Sequence, residues 1–165
     1  GQKLMPLNTI AYLGLGSNLD NPAAHIKRAV LEIAEFEETL LLARSSLYQS
    51  RPLGPQDQAD FINAVVKIET GLSPQNLLKA CQELEIKHGR IKKRHWGERT
   101  LDIDILLYGN KTVDLPELSI PHKGLKERDF VLLPLAEIEP ELVLPCGETV
   151  RELCQNLQAF HLHRV

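Results

Sequence analysis

Asp102 and Asp104 lie two residues apart in the run Arg99-Thr100-Leu101-Asp102-Ile103-Asp104-Ile105-Leu106-Leu107-Tyr108, alternating with Leu101, Ile103 and Ile105. That alternation is the period of a strand with two unlike faces, and it puts both carboxylates on one of them. Side chains two apart on a strand stand about 6.5–7 Å from each other at their bases. Such a spacing brackets two divalent cations held about 3.5–4 Å apart, the arrangement of two-metal phosphoryl-transfer sites. The most basic stretch of the chain, Lys87 to Arg99, comes immediately before. Carboxylates for metal beside cations for phosphate point to a nucleoside triphosphate.

Each of these features also has a plainer reading. A D-x-D pair on a strand most often faces water. Here two uncompensated carboxylates on one face repel, and a hard cation relieves that repulsion. Mg²⁺ commonly takes one or two carboxylates and completes its shell with phosphates and water. A charge run is usually a solvated surface, but this one holds the chain's only tryptophan, Trp96. Arg90 and Arg99 bracket it and can fork onto phosphate oxygens, and Gly89 and Gly97 suit the hinges of a closing lid. His122 and Arg128 alone would pass for surface residues, and Glu85 for the polar edge of a helix face. Phe61 and Phe130 read as core, while Asn63 in a β-branched strand asks for a partner. A flat heterocycle stacked between the two rings and read by the amide would account for all three. Gly14-x-Gly16 lacks the third glycine of a dinucleotide fingerprint, because Leu19 stands there; the pair reads as the tight turn ending a strand. No Walker A sequence occurs.

The elements that must position these residues follow from periodicity and punctuation. Thr9 to Leu15 reads as a strand, followed by a turn and a helix capped by Asp20 or Asn21, with Pro22 at its first position and Ile26, Ala29, Val30, Ile33 and Ala34 as its stripe. Ala43 to Ser50 and Phe61 to Glu69 read as strands on either side of the Pro- and Gly-bearing loop 51–58. Ser73-Pro74 opens a second helix with Leu77, Leu78, Cys81 and Leu84 on its apolar face, before the Asp102/Asp104 strand. The order β-α-β-β-α-β predicts an α+β, ferredoxin-like sandwich: a four-stranded antiparallel sheet with both helices on one face. Two helical additions follow, near Phe130 to Ile138 and from Val150 to Leu157.

A length of 165 residues, with 43% hydrophobic and 25% charged residues, fits one soluble domain spanning 1–165, its first eight residues either a frayed end or an appended tag remnant. The net charge of −3 argues against a nucleic-acid binder. No apolar run is long enough to span a bilayer, and no signal peptide is visible. Three cysteines without metal-ligand spacing fit free thiols in a reducing cytoplasm. The competing class is an RNA-binding sheet, which would carry an aromatic run that this chain lacks.

The stretch Trp96-Gly97-Glu98-Arg99-Thr100-Leu101-Asp102-Ile103-Asp104-Ile105-Leu106 resembles the signature of the 6-hydroxymethyl-7,8-dihydropterin pyrophosphokinase family of folate biosynthesis. The resemblance extends to Leu13 through Asn18, Pro52 through Gln58, Phe61 through Ala64, Ile120-Pro121-His122 and Arg128 through Leu132, in order and spacing. It implies transfer of pyrophosphate from ATP to the pterin's hydroxymethyl oxygen with release of AMP. It implies two Mg²⁺ ions on Asp102 and Asp104, with Arg90 and Arg99 as catalytic phosphate clamps. It also implies ATP contacts from Gln82, Glu85, Arg90, Trp96, Arg99, Ile105, Ser119, His122 and Arg128. The pterin would meet Ser50, Leu53, Phe61, Asn63, Trp96, Asp102 and Phe130. A monomer is expected, with no nucleic-acid or membrane partner. The chain departs from many members at Ser50-Arg51, where they carry Thr-Pro, and at Lys123. A basic loop one residue shorter than in some relatives leaves Lys92, Lys93, Arg94 and His95 without matched roles.

Overall fold

A computed structural model describes residues 8–52, 54, 56–89, 100–126, 128–157 and 163–165. Arg90, Trp96 and Arg99, with the rest of the basic loop, and Leu53 lie outside the described residues. The central strand β1 (Thr9–Ser17) pairs antiparallel with β4 (Phe61–Thr70) on one side and β5 (Asp102–Tyr108) on the other. Beyond β4 lie β2 (Thr39–Arg44) and β3 (Tyr48–Ser50), both antiparallel to it, and β8 (His163–Arg164) adds to β3. A small hairpin of β6 (Val113–Leu115) and β7 (Leu118–Ile120) follows β5.

Among the described residues the sheet therefore has six strands rather than four. The expected second strand begins earlier, at Thr39, and divides in two. Ser45 interrupts it, its N–H donating to the Val65 carbonyl while its hydroxyl accepts from the Val65 N–H. The sixth strand comes from the C-terminus, where two residues are too few for a periodic signal.

Helices α1 (Pro22–Ile33) and α2 (Pro74–Lys87) cover one face, burying Ile26, Ala29, Val30, Ile33, Leu77, Cys81 and Leu84 against Leu13, Leu15, Ile68, Ile103 and Ile105. At about 25 cal/mol per Å² of apolar surface, each of the buried leucines, isoleucines and valines contributes about 1.5–3 kcal/mol. Ser73 caps α2 as expected, accepting from the Asn76 N–H. Asn21 does not cap α1 with its side chain, because its backbone is left-handed at φ 64°. At the C-terminal end of α2, buried His88 meets Glu32 at 2.6 Å and His25 at 2.7 Å, tying the root of the basic loop to α1.

The opposite face is not open along its whole length. Helices α3 (Asp129–Ile138) and α4 (Val150–Gln155) pack on one end of it, with Leu132, Leu135 and Leu153 against Tyr12, Val65, Leu106 and Leu107. The first two helices thus share one face as expected, while the two later helices, which the sequence assigned to neither face, cover part of the other. A carboxylate pins α3 to the edge of the sheet. Glu137 accepts from the Tyr48 hydroxyl at 2.7 Å, the Ser46 N–H at 2.9 Å and the Ser46 hydroxyl at 2.8 Å, and pairs with Arg164.

Burial acts to raise the Glu137 pKa, but those donors together outweigh it and hold the group below its usual 4.5. A carboxylate lowered by folding stabilises fully above its unfolded value and loses that stabilisation as pH falls through the folded one. Glu137→Gln should therefore lower stability at pH 7 by about 2 kcal/mol, a fall of about 4–8 °C in Tm. The gap from the parent should close as the pH drops below 4.5, which thermal unfolding across pH would record.

Candidate active site

Register places the candidate residues in rows across the end of the second face that α3 and α4 leave free. Asp104 pairs with Gly14 and Gly14 with Val65; Asp102 pairs with Gly16, Gly16 with Asn63 and Asn63 with Tyr48. Phe61 pairs with Ser50 one row further out. Asp102, Asp104, Asn63, Phe61 and Ser50 thus share one face, and between the carboxylates and the amide the sheet presents only Gly14 and Gly16. Both glycines lie inside β1 rather than in a turn after it. Their role is a bare floor. A Cβ on Gly16 would sit 3.5 Å from Asn63 Oδ1 and 3.7 Å from the Phe61 ring, in ordinary contact.

Asp102 and Asp104 are both partly exposed. His122 Nε2 lies 3.6 Å from Asp104 Oδ1. The Gly124 N–H donates to His122 Nδ1 at 3.1 Å, so the neutral ring carries its proton on Nε2, toward the carboxylate. The loop reaches this position through the cis bond Ile120-Pro121 and a hydrogen bond from the His122 N–H to the Leu106 carbonyl. Among the described residues, no three His, Cys, Asp or Glu side chains converge as a protein-only metal site. Two oxygen-bearing side chains suit a hard cation that also takes phosphate and water, so the pair fits Mg²⁺ better than a softer metal.

Behind the pair, Glu85 is 5% exposed and its Oε2 accepts from the Ile103 N–H at 2.8 Å. A helix carboxylate thus holds the β5 backbone at the residue between the two aspartates. The sequence signal was a Glu one turn after Cys81, on the same apolar stripe. Ile105 is buried in the helix-side core, so it can offer a nucleotide only its backbone. Gln82 is exposed on α2, and Ser119 is half-buried on β7.

Arg128 lies across Gly124 and over the Phe130 ring, 5.6 Å from its centroid. A Cβ on Gly124 would come within 2.2 Å of the Arg128 side chain, so a glycine is needed for that arginine to lie where it does. Gly124→Ala should swing the flexible Arg128 away without unfolding the chain. If Arg128 serves phosphate, KM for the nucleotide should rise about 5–20-fold, the loss of one charge-assisted contact. Steady-state kinetics with a matching thermal unfolding curve would show it.

Asn63 and Ser50 are buried together. The Asn63 Nδ2 donates to Ser50 Oγ at 2.7 Å and to the Tyr48 carbonyl at 3.3 Å. Phe61 and Phe130 are both half-buried. The alternation in the sequence placed Asp102 and Asp104 on one strand face, and the register adds Asn63, Phe61 and Ser50 to that face. Sequence reasoning missed the glycine floor, the Glu85 brace and the need for Gly124.

A family profile described as 7,8-dihydro-6-hydroxymethylpterin-pyrophosphokinase (HPPK) matches residues 12–140. The chain is 50% identical over 146 residues to the 2-amino-4-hydroxy-6-hydroxymethyldihydropteridine pyrophosphokinase of Haemophilus influenzae, covering 88% of this chain and 91% of that protein. The enzyme of the same name from Pseudomonas aeruginosa is 47% identical over 142 residues, covering 86% and 88%. Among solved structures, wild-type Plasmodium falciparum HPPK-DHPS with pterin and p-hydroxybenzoate superposes with a TM-score of 0.70 at 19% identity. That match covers 93% of this chain and 44% of the longer one, and speaks for the fold alone.

Proposed function

Because the chain belongs to the 7,8-dihydro-6-hydroxymethylpterin-pyrophosphokinase family, a pyrophosphokinase family of folate biosynthesis, we propose that it transfers the β,γ-pyrophosphoryl group of ATP to the hydroxymethyl oxygen of 6-hydroxymethyl-7,8-dihydropterin, releasing AMP. One observation carries the assignment of substrates to places. The carboxylate pair and the Asn63 amide flank glycine backbone on the end of the sheet face that α3 and α4 leave free, about 10 Å apart across two strand spacings. A flat two-ring heterocycle can lie on the Gly16 floor, edge to Asn63, with its hydroxymethyl arm toward the carboxylates. Phe61 and Phe130 would cover its faces, and Ser50, Leu53, Trp96 and Asp102 would complete its surroundings.

Asp102 and Asp104 would hold two Mg²⁺ ions, which when bound supply charge neutralisation and alignment of the triphosphate. Arg90 and Arg99 would clamp phosphates, and a donor aimed at developing charge is worth most during transfer. His122 presents its Nε2 proton beside Asp104, in reach of a phosphate oxygen there. Gln82, Glu85, Trp96, Ile105, Ser119 and Arg128 would complete the nucleotide's surroundings.

The antiparallel order β5-β1-β4, followed by β2 and β3, supports reading the frame as a ferredoxin-like sandwich acting as one domain. We further read the chain as a cytoplasmic monomer taking no nucleic acid and no membrane. The net charge of −3 favours this, and no described helix is long and apolar enough to cross a bilayer.

Incubation with Mg²⁺, ATP and 6-hydroxymethyl-7,8-dihydropterin, followed by chromatography of the adenosine products, tests the proposal. AMP appearing with pterin diphosphate in equal amounts is expected. ADP would mean a one-phosphate kinase, and no nucleotide consumption would mean a binding protein.

A further inference from the structure

A primary amide can turn either its oxygen or its nitrogen toward a ligand, and the Asn63 surroundings decide which. The Tyr48 carbonyl can only accept, so the Asn63 nitrogen must face it. The second proton on that nitrogen goes to Ser50 Oγ, at 2.7 Å the shorter of the two contacts. Both donors are then used, and Asn63 has none left for a ligand. Its Oδ1 lies over Gly16, on the side of Asp102. Ser50 and Asn63 are each 7% exposed, so water competes little for these bonds.

We propose that Ser50 is a positioning residue for substrate selection: with the Tyr48 carbonyl it locks the Asn63 amide so that the site offers an acceptor there and takes only a ligand group that donates. This deepens the assignment of a pterin to the Gly16 floor and rests on it. A pterin edge carries two such donors, the ring N3–H and the 2-amino group. A ligand placing a carbonyl or a bare ring nitrogen at that point would meet Oδ1 lone pair to lone pair, with no amide flip to relieve it. The lock needs the acceptor oxygen of a hydroxyl at position 50, which threonine keeps and alanine lacks, so Ser50→Thr should preserve it and Ser50→Ala should weaken it.

The experiment measures binding of three compounds to wild type, Ser50→Thr and Ser50→Ala, each saturated with Mg²⁺ and a non-hydrolysable ATP analogue. The compounds are 6-hydroxymethylpterin, its N3-methyl derivative and its 2-methyl counterpart, in which a methyl replaces the isosteric amino group. Wild type and Ser50→Thr should bind at least one donor-deleted compound about 10–100-fold more weakly than the parent, the range for leaving a buried acceptor unmet. Ser50→Ala should shrink that ratio at least threefold and raise KM for the pterin more than it lowers kcat. In the ligand-free protein, the two Asn63 side-chain protons should exchange slowly with solvent in wild type and Ser50→Thr, and one of them quickly in Ser50→Ala. Full discrimination by Ser50→Ala, or equal binding of all three compounds by wild type, would overturn the proposal. A wild type that binds none of the three would instead overturn the pterin assignment, and this proposal with it. The side-chain exchange data would then still report whether the lock exists.

Discussion

Replacing Asp102 or Asp104 by alanine is expected to lower kcat/KM by at least a thousandfold while leaving Tm within a few degrees of the parent. The two halves of that result come from different physics. Both side chains are partly exposed, so truncation opens no core cavity. It also removes like-charge repulsion between neighbours on one strand face, which acts in favour of stability. The activity loss follows because each carboxylate would hold cation charge against the triphosphate, and a thousandfold corresponds to about 4 kcal/mol of transition-state stabilisation. Asn variants, which keep the shape and lose the charge, should fall nearly as far. Steady-state kinetics at saturating Mg²⁺ and differential scanning calorimetry on the same preparations check both halves. Near-normal rates in either alanine variant would remove the metal role.

Gly16→Val should separate stability from activity in the opposite sense. Glycine inside a strand weakens it, and valine suits an extended backbone. The position has room for a Cβ, whose nearest neighbours would be Asn63 Oδ1 at 3.5 Å and the Phe61 ring at 3.7 Å. Tm should therefore stay level or rise by a degree or two. The valine methyl groups would stand on the floor between Asp102 and Asn63, where the heterocycle is placed. KM for the pterin should rise at least a hundredfold, while affinity for the nucleotide changes little. Binding measured separately for the two substrates distinguishes this from general damage. A Gly16→Val protein with ordinary pterin affinity would show that the heterocycle lies elsewhere.

The chemistry was more legible in the sequence than the surface that carries it. Alternation around Asp102 and Asp104 was enough to place both on one strand face, because a strand's period of two leaves no other choice. The helix stripes at Ile26, Ala29, Val30 and Ile33 and at Leu77, Cys81 and Leu84 were equally direct, since each spans at least two turns. Other features depended on contacts across the sheet. Whether Gly14 and Gly16 end a strand or floor a site depends on what pairs with them, and only the register with Asp104, Asp102 and Asn63 decides it. The division of β2 from β3 turns on Ser45 bonding to Val65, twenty residues away. The second layer of α3 and α4 was visible as helices, but the face they would cover was not, because Leu106 and Leu107 break the alternation at a bulge opposite Tyr12 and Leu13. Gly124 gave no signal at all. Its need arises from Arg128, four residues on, folding back across it.

Manganese provides the most direct test of the central claim, that the Asp102/Asp104 pair holds two cations against the triphosphate. Mn²⁺ favours the same oxygen donors as Mg²⁺ and is paramagnetic. Electron paramagnetic resonance of the protein with Mn²⁺, a non-hydrolysable ATP analogue and the pterin should count two ions per chain. The ions should be spin-coupled at about 3.5–4 Å, and the Asp104→Asn variant should lose the coupled signal. One uncoupled ion per chain in wild type, or a coupled pair that survives loss of the carboxylate, would contradict it.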